Sequence, residues 1–318
     1  FELNRCNRIT KVDVANSTIQ NFIVTNCENV TEVNLSGCKS IAGFDVTNSY
    51  NIVTLNMSGN TSPVMNDLKL YSMYKLNKLI ISQTDTVHTL RLPKYLNEEE
   101  AFKAVNGDPN AKLWDNLTYL DASTSSIRKI QYGSGDVDDV VLDMSQLKKL
   151  TTLKLSNCTY FTEIRNINYT GPLASLFFNC RSLTKITGVL TNGNASINSM
   201  FQQCFVLSDI DGLSLNFTGV TSANSTCDRC FRMKTPMLKK ILYACGESLT
   251  SATSMCHMAG LDGYETILGT AEDTTRTIPS DLFKENKKLQ NVSGFFDITG
   301  YTTVPGDLFD PCGATLTN

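Results

Sequence analysis

Apolar residues recur along the first part of the chain in one short template, apolar-x-x-apolar-x-apolar. It is met by Ile9-Val12-Val14, Ile19-Phe22-Val24, Val30-Val33-Leu35, Ile41-Phe44-Val46 and Ile52-Leu55-Met57. Met65-Leu68-Leu70, Leu76-Leu79-Ile81 and Val87-Leu90-Leu92 continue it. Successive first positions lie 10, 11, 11, 11, 13, 11 and 11 residues apart. The last two apolar positions of each unit flank a single residue, so they share one face of an extended strand. Between units lie Thr25-Asn26, Ser36-Gly37, Thr47-Asn48-Ser49 and Ser58-Gly59-Asn60, residue types that tolerate tight turns. Two such strand-turn half-coils make one coil of a β-rich repeat solenoid. A lone coil cannot bury its own apolar face, so the stack is the folding unit.

The pattern breaks at Pro93. Asn97-Glu98-Glu99-Glu100-Ala101-Phe102-Lys103-Ala104-Val105 reads as a short helix. Asn97 is its expected N-cap, and three glutamates sit in the first turn, where the helix dipole favours them. Asn106-Gly107-Asp108-Pro109 ends it, so 93–116 is expected to be a helical insertion projecting from the solenoid. The template resumes at Leu117-Leu120, Ile127-Ile130, Leu150-Leu153-Leu155 and Phe161-Ile164, with an acidic Gly-rich loop at 133–139.

From about residue 171 a longer repeat takes over: Leu176-Phe177-Phe178-Asn179-Cys180, Met200-Phe201-Gln202-Gln203-Cys204, Thr226-Cys227-Asp228-Arg229-Cys230 and Met255-Cys256-His257-Met258-Ala259. Leu282-Phe283-Lys284-Glu285-Asn286 and Leu308-Phe309-Asp310-Pro311-Cys312 follow, the six first positions being 24, 26, 29, 27 and 26 residues apart. The Phe or Cys and the residue three later share a face of a helical turn. Coils of about 26 residues, helix-turn-strand, are therefore expected here. The expected organisation is 1–92 short-repeat solenoid, 93–116 insertion, 117–170 continued solenoid and 171–318 longer repeats.

Composition narrows the function classes. Lys+Arg of 28 against Asp+Glu of 31 supplies no basic face for nucleic acid. No run approaches the roughly 18 apolar residues of a membrane span. Eleven cysteines fit isolated core thiols better than a disulfide scaffold, which would be shorter and denser in Cys. Cys227-x-x-Cys230 with Cys256-His257 beyond raises a zinc reading. In the alignment, however, Cys230 falls in the column of Cys180, Cys204 and Cys312, while Cys227 replaces Phe177 and Phe201; repeat packing accounts for both. Gly133-Ser134-Gly135-Asp136-Val137-Asp138-Asp139 has the carboxylates of a calcium loop but not its spacing or closing Glu. No metal and no cofactor is therefore expected. Only His88 and His257 are available for acid–base work, and no motif places a nucleophile or carboxylate beside either, so the chain reads as a non-enzyme. Sequons at Asn16, Asn29, Asn34, Asn56, Asn116, Asn216 and Asn291 read as turn-building Asn, Ser and Thr.

Residues 9–92 resemble the short leucine-rich repeats of Bacteroidetes surface proteins. Residues 175–312 resemble the BspA-like surface repeat, with Ser199-Met200-Phe201-Gln202-Gln203-Cys204-Phe205-Val206-Leu207 the nearest match; the Phe and Cys of that pattern are both replaced at 256–265. Ile278-Pro279-Ser280-Asp281-Leu282-Phe283, Asn291-Val292-Ser293-Gly294-Phe295-Phe296 and Val304-Pro305-Gly306-Asp307-Leu308-Phe309 are similar to arrays in structural proteins of crAss-like gut phages. The resemblance implies a leucine-rich-repeat-like solenoid. It also implies a binding or assembly role in a phage virion, tail-associated, with other virion proteins as partners. The alternative is a bacterial cell-surface adhesin, extracellular, binding a host protein or glycan. Interface energy concentrates in Trp, Tyr and Arg, which makes Tyr95, Trp114 and Tyr119, around the insertion, the candidate contacts. Trp114 also reads as a pin holding the inserted helix to the solenoid.

Residues 1–8 and 308–318 hold incomplete units, so the array is expected to continue past both. End coils without caps expose apolar groups and strand edges. Hydrogen exchange in the isolated chain is expected to be fastest in the first and last coils; well-protected end coils in a monomer would show that they are true caps.

Overall fold

The computed structural model describes residues 1–135, 140–191 and 194–260, together with 289 and 292. The later repeats at 282–286 and 308–312 lie outside the described residues, as do Asp136 to Asp139. The described residues form a parallel β-solenoid with few helices. The chain divides into two units, Phe1–Lys154 with Cys158–Phe161, and Leu155–Asn157 with the residues from Thr162 on.

In the first unit the strands come in chain order as β1 (Glu2–Asn4), β2 (Lys11–Asp13), β3 (Asn21–Thr25), β4 (Glu32–Asn34), β5 (Gly43–Asp45) and β6 (Thr54–Asn56). They continue with β7 (Asp67–Lys69), β8 (Lys78–Ile80), β9 (Thr89–Leu92), β10 (Tyr119–Asp121), β11 (Lys129–Tyr132), β12 (Val141–Asp143) and β13 (Thr152–Lys154). Alternate strands stack in parallel register. The six-stranded sheet β2-β4-β6-β8-β10-β13 aligns Val12, Val33, Leu55, Leu79, Leu120 and Leu153 in one inward row. All six are buried, and each full burial stabilises by about 1.5–3 kcal/mol. On another face β1-β3-β5 stack Phe1, Phe22 and Phe44, rings parallel within 9° and 14°, and β7-β9-β11-β12 align Leu68, Leu90, Ile130 and Leu142. β12 was not expected. It follows the acidic loop and extends the same sheet as β11, so this coil carries a second strand on one face.

A small set of corner residues turns each coil. Asn16, Gly37, Gly59, Gln83 and Thr124 have φ of 58°, 64°, 62°, 58° and 56°. That left-handed conformation costs a non-glycine residue roughly 1–2 kcal/mol. The return is a hydrogen bond along the stack: Asn16, Gly37, Gly59 and Gln83 donate their N–H to Ser36, Ser58, Ser82 and Ser123 carbonyls at 2.8, 2.8, 2.8 and 2.9 Å. Just before the corner, Asp13, Asn34, Asn56 and Asp121 each accept from the backbone N–H two residues on, which ends the strand. Asn34 and Asn56 of the sequons thus serve the turn.

The second unit repeats the device. Here β14 (Glu163–Tyr169), β15 (Lys185–Thr191) and β16 (Leu213–Asn216) stack in parallel, followed by α2 (Thr235–Cys245). Asn157, Asn179 and Gln203 turn the corners and donate to Phe178, Gln202 and Asp228 carbonyls at 2.7, 2.8 and 2.8 Å. The short helices expected at 176–180, 200–204 and 226–230 are not formed. Each is a pair of tight turns between two left-handed residues, Ser175 with Asn179, Ser199 with Gln203, and Ser225 with Arg229. A helix would have spent its N–H groups internally. The turns instead let Ser175, Phe177 and Asn179 donate to the next coil at 2.9, 2.9 and 2.8 Å.

After several corners the next residue points into the core and donates backwards along the stack. Cys38 and Cys158 in the first unit give their thiols to Val14 and Ala122 carbonyls at 3.1 and 2.8 Å. Cys180, Cys204 and Cys230 in the second give theirs to Leu155, Phe177 and Phe201 at 3.2, 3.1 and 3.0 Å. Asn60 does the same with its amide, to Leu35 at 3.3 Å. The ten described cysteines are free thiols. Burial pushes Cys158 up to about 11 and Cys245 to about 12, and lifts Cys204, Cys227 and Cys230 well above the ordinary thiol range.

These five thiols are therefore neutral and shielded at ordinary pH. Titration of the denatured, unreduced protein is expected to find nearly all eleven, with these five slow to react in the native state; several disulfides, or stoichiometric zinc by elemental analysis, would overturn this. A second prediction concerns Gly188, where β15 passes β14 with φ of 120° and an added Cβ would lie 2.1 Å from the Ile167 carbonyl oxygen. Gly188→Ala is expected to lose about 3 kcal/mol or more in urea unfolding, and a loss under 1 kcal/mol would mean that the close approach is relaxed in solution.

Candidate functional site

The insertion lies in the first unit and is built as a stem and a helix. Lys94–Leu96 runs antiparallel to Lys112–Trp114: Tyr95 bridges Leu113, Leu96 N–H donates to Lys112 O at 2.9 Å, and Trp114 N–H to Lys94 O at 3.1 Å. The helix α1 spans Glu98–Val105, capped by Asn97, whose Oδ1 accepts from Glu100 N–H at 2.9 Å. Glu100 turns inward, accepting from Lys112 N–H at 2.8 Å and Lys103 Nζ at 2.9 Å. The Lys112 N–H, then Lys103, hold its carboxyl below the usual glutamate range.

Trp114 is fully buried. Its indole N–H donates to the Tyr74 carbonyl at 3.0 Å, and Asn116 Nδ2 donates to the same oxygen at 2.8 Å. With its amide oriented to satisfy its neighbours, Gln146 donates to Trp114 O and Lys94 O, both at 3.0 Å. The contact reading of Trp114 is thereby corrected: a buried ring anchors the stem and offers no surface.

Tyr95 is half-buried, with Lys94 Nζ 5.3 Å from its ring centre. It lines an open cleft of about 420 Å3 together with Tyr71, Tyr74 and Tyr132. Tyr119 sits elsewhere, on the outer face of β10, flanked by Lys78 and Lys154 at 5.0 and 5.7 Å from its ring centre; Lys154 also pairs with Asp121 at 3.2 Å. A second open cleft of about 470 Å3 lies on the insertion's other flank, between Tyr50, Tyr74 and Lys75 on the coils and Leu96, Asn97, Glu98 and Glu99 on the insertion, with Asn116. The Tyr50 and Tyr74 ring centres are 6.1 Å apart and tilted by 35°. Burial, then the Glu98 carboxylate, raises both phenols, so they stay protonated donors at neutral pH.

Tyr50, Tyr71, Tyr74 and Tyr132 were not singled out by apolar patterning. Tyr50 and Tyr74 each stand two residues before the first apolar position of a unit, Ile52 and Leu76, and aligning that turn column would have found the pair.

The chemical candidates are placed as follows. His88 lies just before β9, where burial, then Arg128, lowers its pKa. His257 in the second unit has Nδ1 3.0 Å from Asp228 Oδ1, and Gln202 Nε2 donates to Asp228 Oδ2 at 2.8 Å. Asp228 and His257, 29 positions apart, are brought together by coil stacking, which no local motif could reveal. Such a pair orients an imidazole, but nucleophilic catalysis needs a third group on the other ring nitrogen. Cys227, Cys230 and Cys256 are all buried. Among the described residues no group of three or more His, Cys, Asp or Glu could hold a metal ion, and no helix is long and apolar enough to cross a membrane.

No protein-family model matches the chain, and no curated protein sequence matches it. Among solved structures it is similar to an internalin from Listeria monocytogenes at 11% identity, over 98% of this chain and 88% of that one, with a TM-score of 0.29. It is similar to the functional domain of InlJ from the same organism, described as including a cysteine ladder, at 14% identity over 94% and 67% with a TM-score of 0.27. A leucine-rich repeat protein of Leptospira interrogans stands at 13% identity over 89% and 82%, TM-score 0.24.

Proposed function

We propose that the chain is a non-enzymatic binding and assembly module that engages a protein partner through the insertion at 93–116. One observation carries this. The insertion holds Phe102 at 71%, Val105 at 85% and Leu113 at 52% exposure, on a helix and stem fixed to the coils by the buried Trp114. Apolar side chains held in solvent on a rigid support are characteristic of interaction sites. The coils need none of them, since each coil buries its own triplets against its neighbours. Tyr95 at the base of the stem and Tyr119 on β10 are further contacts in this reading, their rings each flanked by lysine.

The setting proposed is a phage virion, tail-associated, with other virion proteins as partners; the similarity of 278–309 to phage arrays supports it. A cell-surface adhesin that binds host protein or glycan is the second reading, supported by the repeats themselves. Flanking portal or tail genes would favour the first, a signal peptide with a surface-sorting segment the second.

The test uses the 318-residue chain against purified structural proteins of the parent particle, or against host surface protein for the adhesin reading. Phe102→Ser with Val105→Ser is expected to weaken binding tenfold or more, about 1.4 kcal/mol. Replacing 94–113 by a short Gly-Ser turn is expected to abolish binding and leave the far-UV spectrum strand-rich. Unchanged affinity in both variants would remove the insertion from the interface.

A further inference from the structure

We propose that the cleft between the Tyr50–Tyr74 pair and the start of α1 is a binding subsite for a neutral glycan, holding one or two sugar rings of a longer chain. The inference deepens the binding-module reading and rests on it, but it uses a different surface from Phe102 and Val105.

The geometry comes first. The two tyrosines occupy the same position of successive coils, yet they do not stack as the other ring pairs do. Phe1–Phe22, Phe22–Phe44 and Phe177–Phe201 lie within 9°, 14° and 5° of parallel, whereas Tyr50 and Tyr74 are tilted by 35°. Rings that close on each other leave no face for a ligand; this tilted pair lines an open cleft of about 470 Å3 instead. That volume is within the roughly 300–1,000 Å3 of small-ligand sites. The cleft's far wall is rigid, because Asn97 caps α1 and Trp114 and Asn116 tie the stem to Tyr74.

The lining then selects the ligand. Asn97 spends Oδ1 on the Glu100 N–H, so its Nδ2 remains a donor. Asn116 spends Nδ2 on the Tyr74 carbonyl, so its Oδ1 remains an acceptor. Lys75 brings donors and Glu98 acceptors, while Lys103, 2.8 Å from Glu99, is shared with Glu100 at 2.9 Å. Donors and acceptors are interleaved beside aromatic rings, and Lys75 and Glu98 set opposite charges on the cleft's two walls. An anionic ligand would face Glu98, and a cationic one Lys75. A polyhydroxylated ring suits both, since each hydroxyl donates and accepts while the apolar C–H face of the sugar covers a tyrosine. The cleft is open to solvent, which admits an internal unit of a chain, and Tyr74 also lines the neighbouring cleft with Tyr71, Tyr95 and Tyr132.

The test is a printed array of neutral, sialylated and sulfated oligosaccharides probed with the 318-residue chain, followed by calorimetric titration of the strongest neutral binder. Neutral oligosaccharides are expected to bind. Tyr50→Ala and Tyr74→Ala are each expected to weaken them at least tenfold, and Tyr74→Phe, which keeps the ring, less than threefold. Far-UV spectra and thermal midpoints of the variants serve as the folding check. The Tyr74 carbonyl that holds Trp114 belongs to the backbone and survives each change; should Tyr74→Ala fail to fold, Glu98→Ala and Lys75→Ala, both at exposed positions, decide, each expected to lower affinity. Three outcomes would overturn the proposal: no neutral glycan bound, binding confined to acidic glycans, or affinity indifferent to all of these substitutions. Glycan failure with Phe102→Ser/Val105→Ser still blocking the protein partner leaves the module reading standing. Glycan binding with a partner assay indifferent to that double variant sinks the other reading alone.

Discussion

The left-handed corner is the constraint on which the rest of this structure depends. A flattened coil must reverse direction within two or three residues, and only the left-handed region turns the backbone that sharply while keeping its N–H aimed along the stack. Asn16, Gly37, Gly59 and Gln83 accept that conformation, and each is compensated by a hydrogen bond to the next coil. Asn and Gly bear it most easily, because Gly lacks a Cβ and Asn can bond locally. Once the corners are in register, the strands between them are too. The apolar triplets then face inward with no further specification, and after several corners the next residue is forced into the core. A small polar side chain fits there, which is why Cys, Asn, Ser and Thr share the column: Cys38, Asn60, Thr84, Ser125 and Cys158 in the first unit.

Much of this was readable in the chain because the periodic signal and the packing requirement coincide. Each triplet is both a pattern and a buried face, and Asn97 with three following glutamates is both a helix start and an observed cap. The failures have equally physical origins. Apolar residues three apart, Phe177 and Cys180, serve a helical turn or a pair of tight turns equally well; the decision belongs to Ser175 and Asn179, whose left-handed backbone is favoured only because the neighbouring coil offers carbonyls. Spacing within one repeat carries no trace of that neighbour. β12 escaped notice because Asp139 stands where its unit should begin with an apolar residue, leaving only Leu142 and Met144 of the triplet.

The site was legible to a lesser degree, for a related reason. Apolar patterning finds what the stack buries, whereas the two clefts are lined by turn residues the stack leaves out. Trp114 drew attention as the lone tryptophan, and size alone made it a candidate contact. Its burial follows from a need the sequence does not display: a stem leaving the solenoid for some twenty residues must be fixed where it returns, and a large ring with one N–H does both the packing and the bonding. Tyr50 and Tyr74 matter for the opposite reason, since nothing in the coil requires an aromatic group at their turn. The same position one coil earlier holds Glu28, and one unit beyond Trp114's stem it holds Asp115, paired with Lys149 at 2.9 Å.

This separation of tasks explains how one architecture can carry unrelated contacts. Coil stability depends on nearest neighbours alone, so residues 93–116 can leave and return provided that Leu79 still meets Leu120 in register, as it does. The interruption is absorbed by one stem, one buried indole and one inward glutamate, and the ladder beyond it is unchanged. Positions free of ladder duty, the turn column of Tyr50 and Tyr74 and the outer face of α1, are then open to selection for a ligand without disturbing a corner. A substitution at Gln83 or Leu120 acts on every coil that stacks there, whereas one at Tyr74 or Phe102 acts only on what the surface meets. In the proposed reading the contacts gather at positions that no ladder bond constrains, and the register of the coils is kept beneath them.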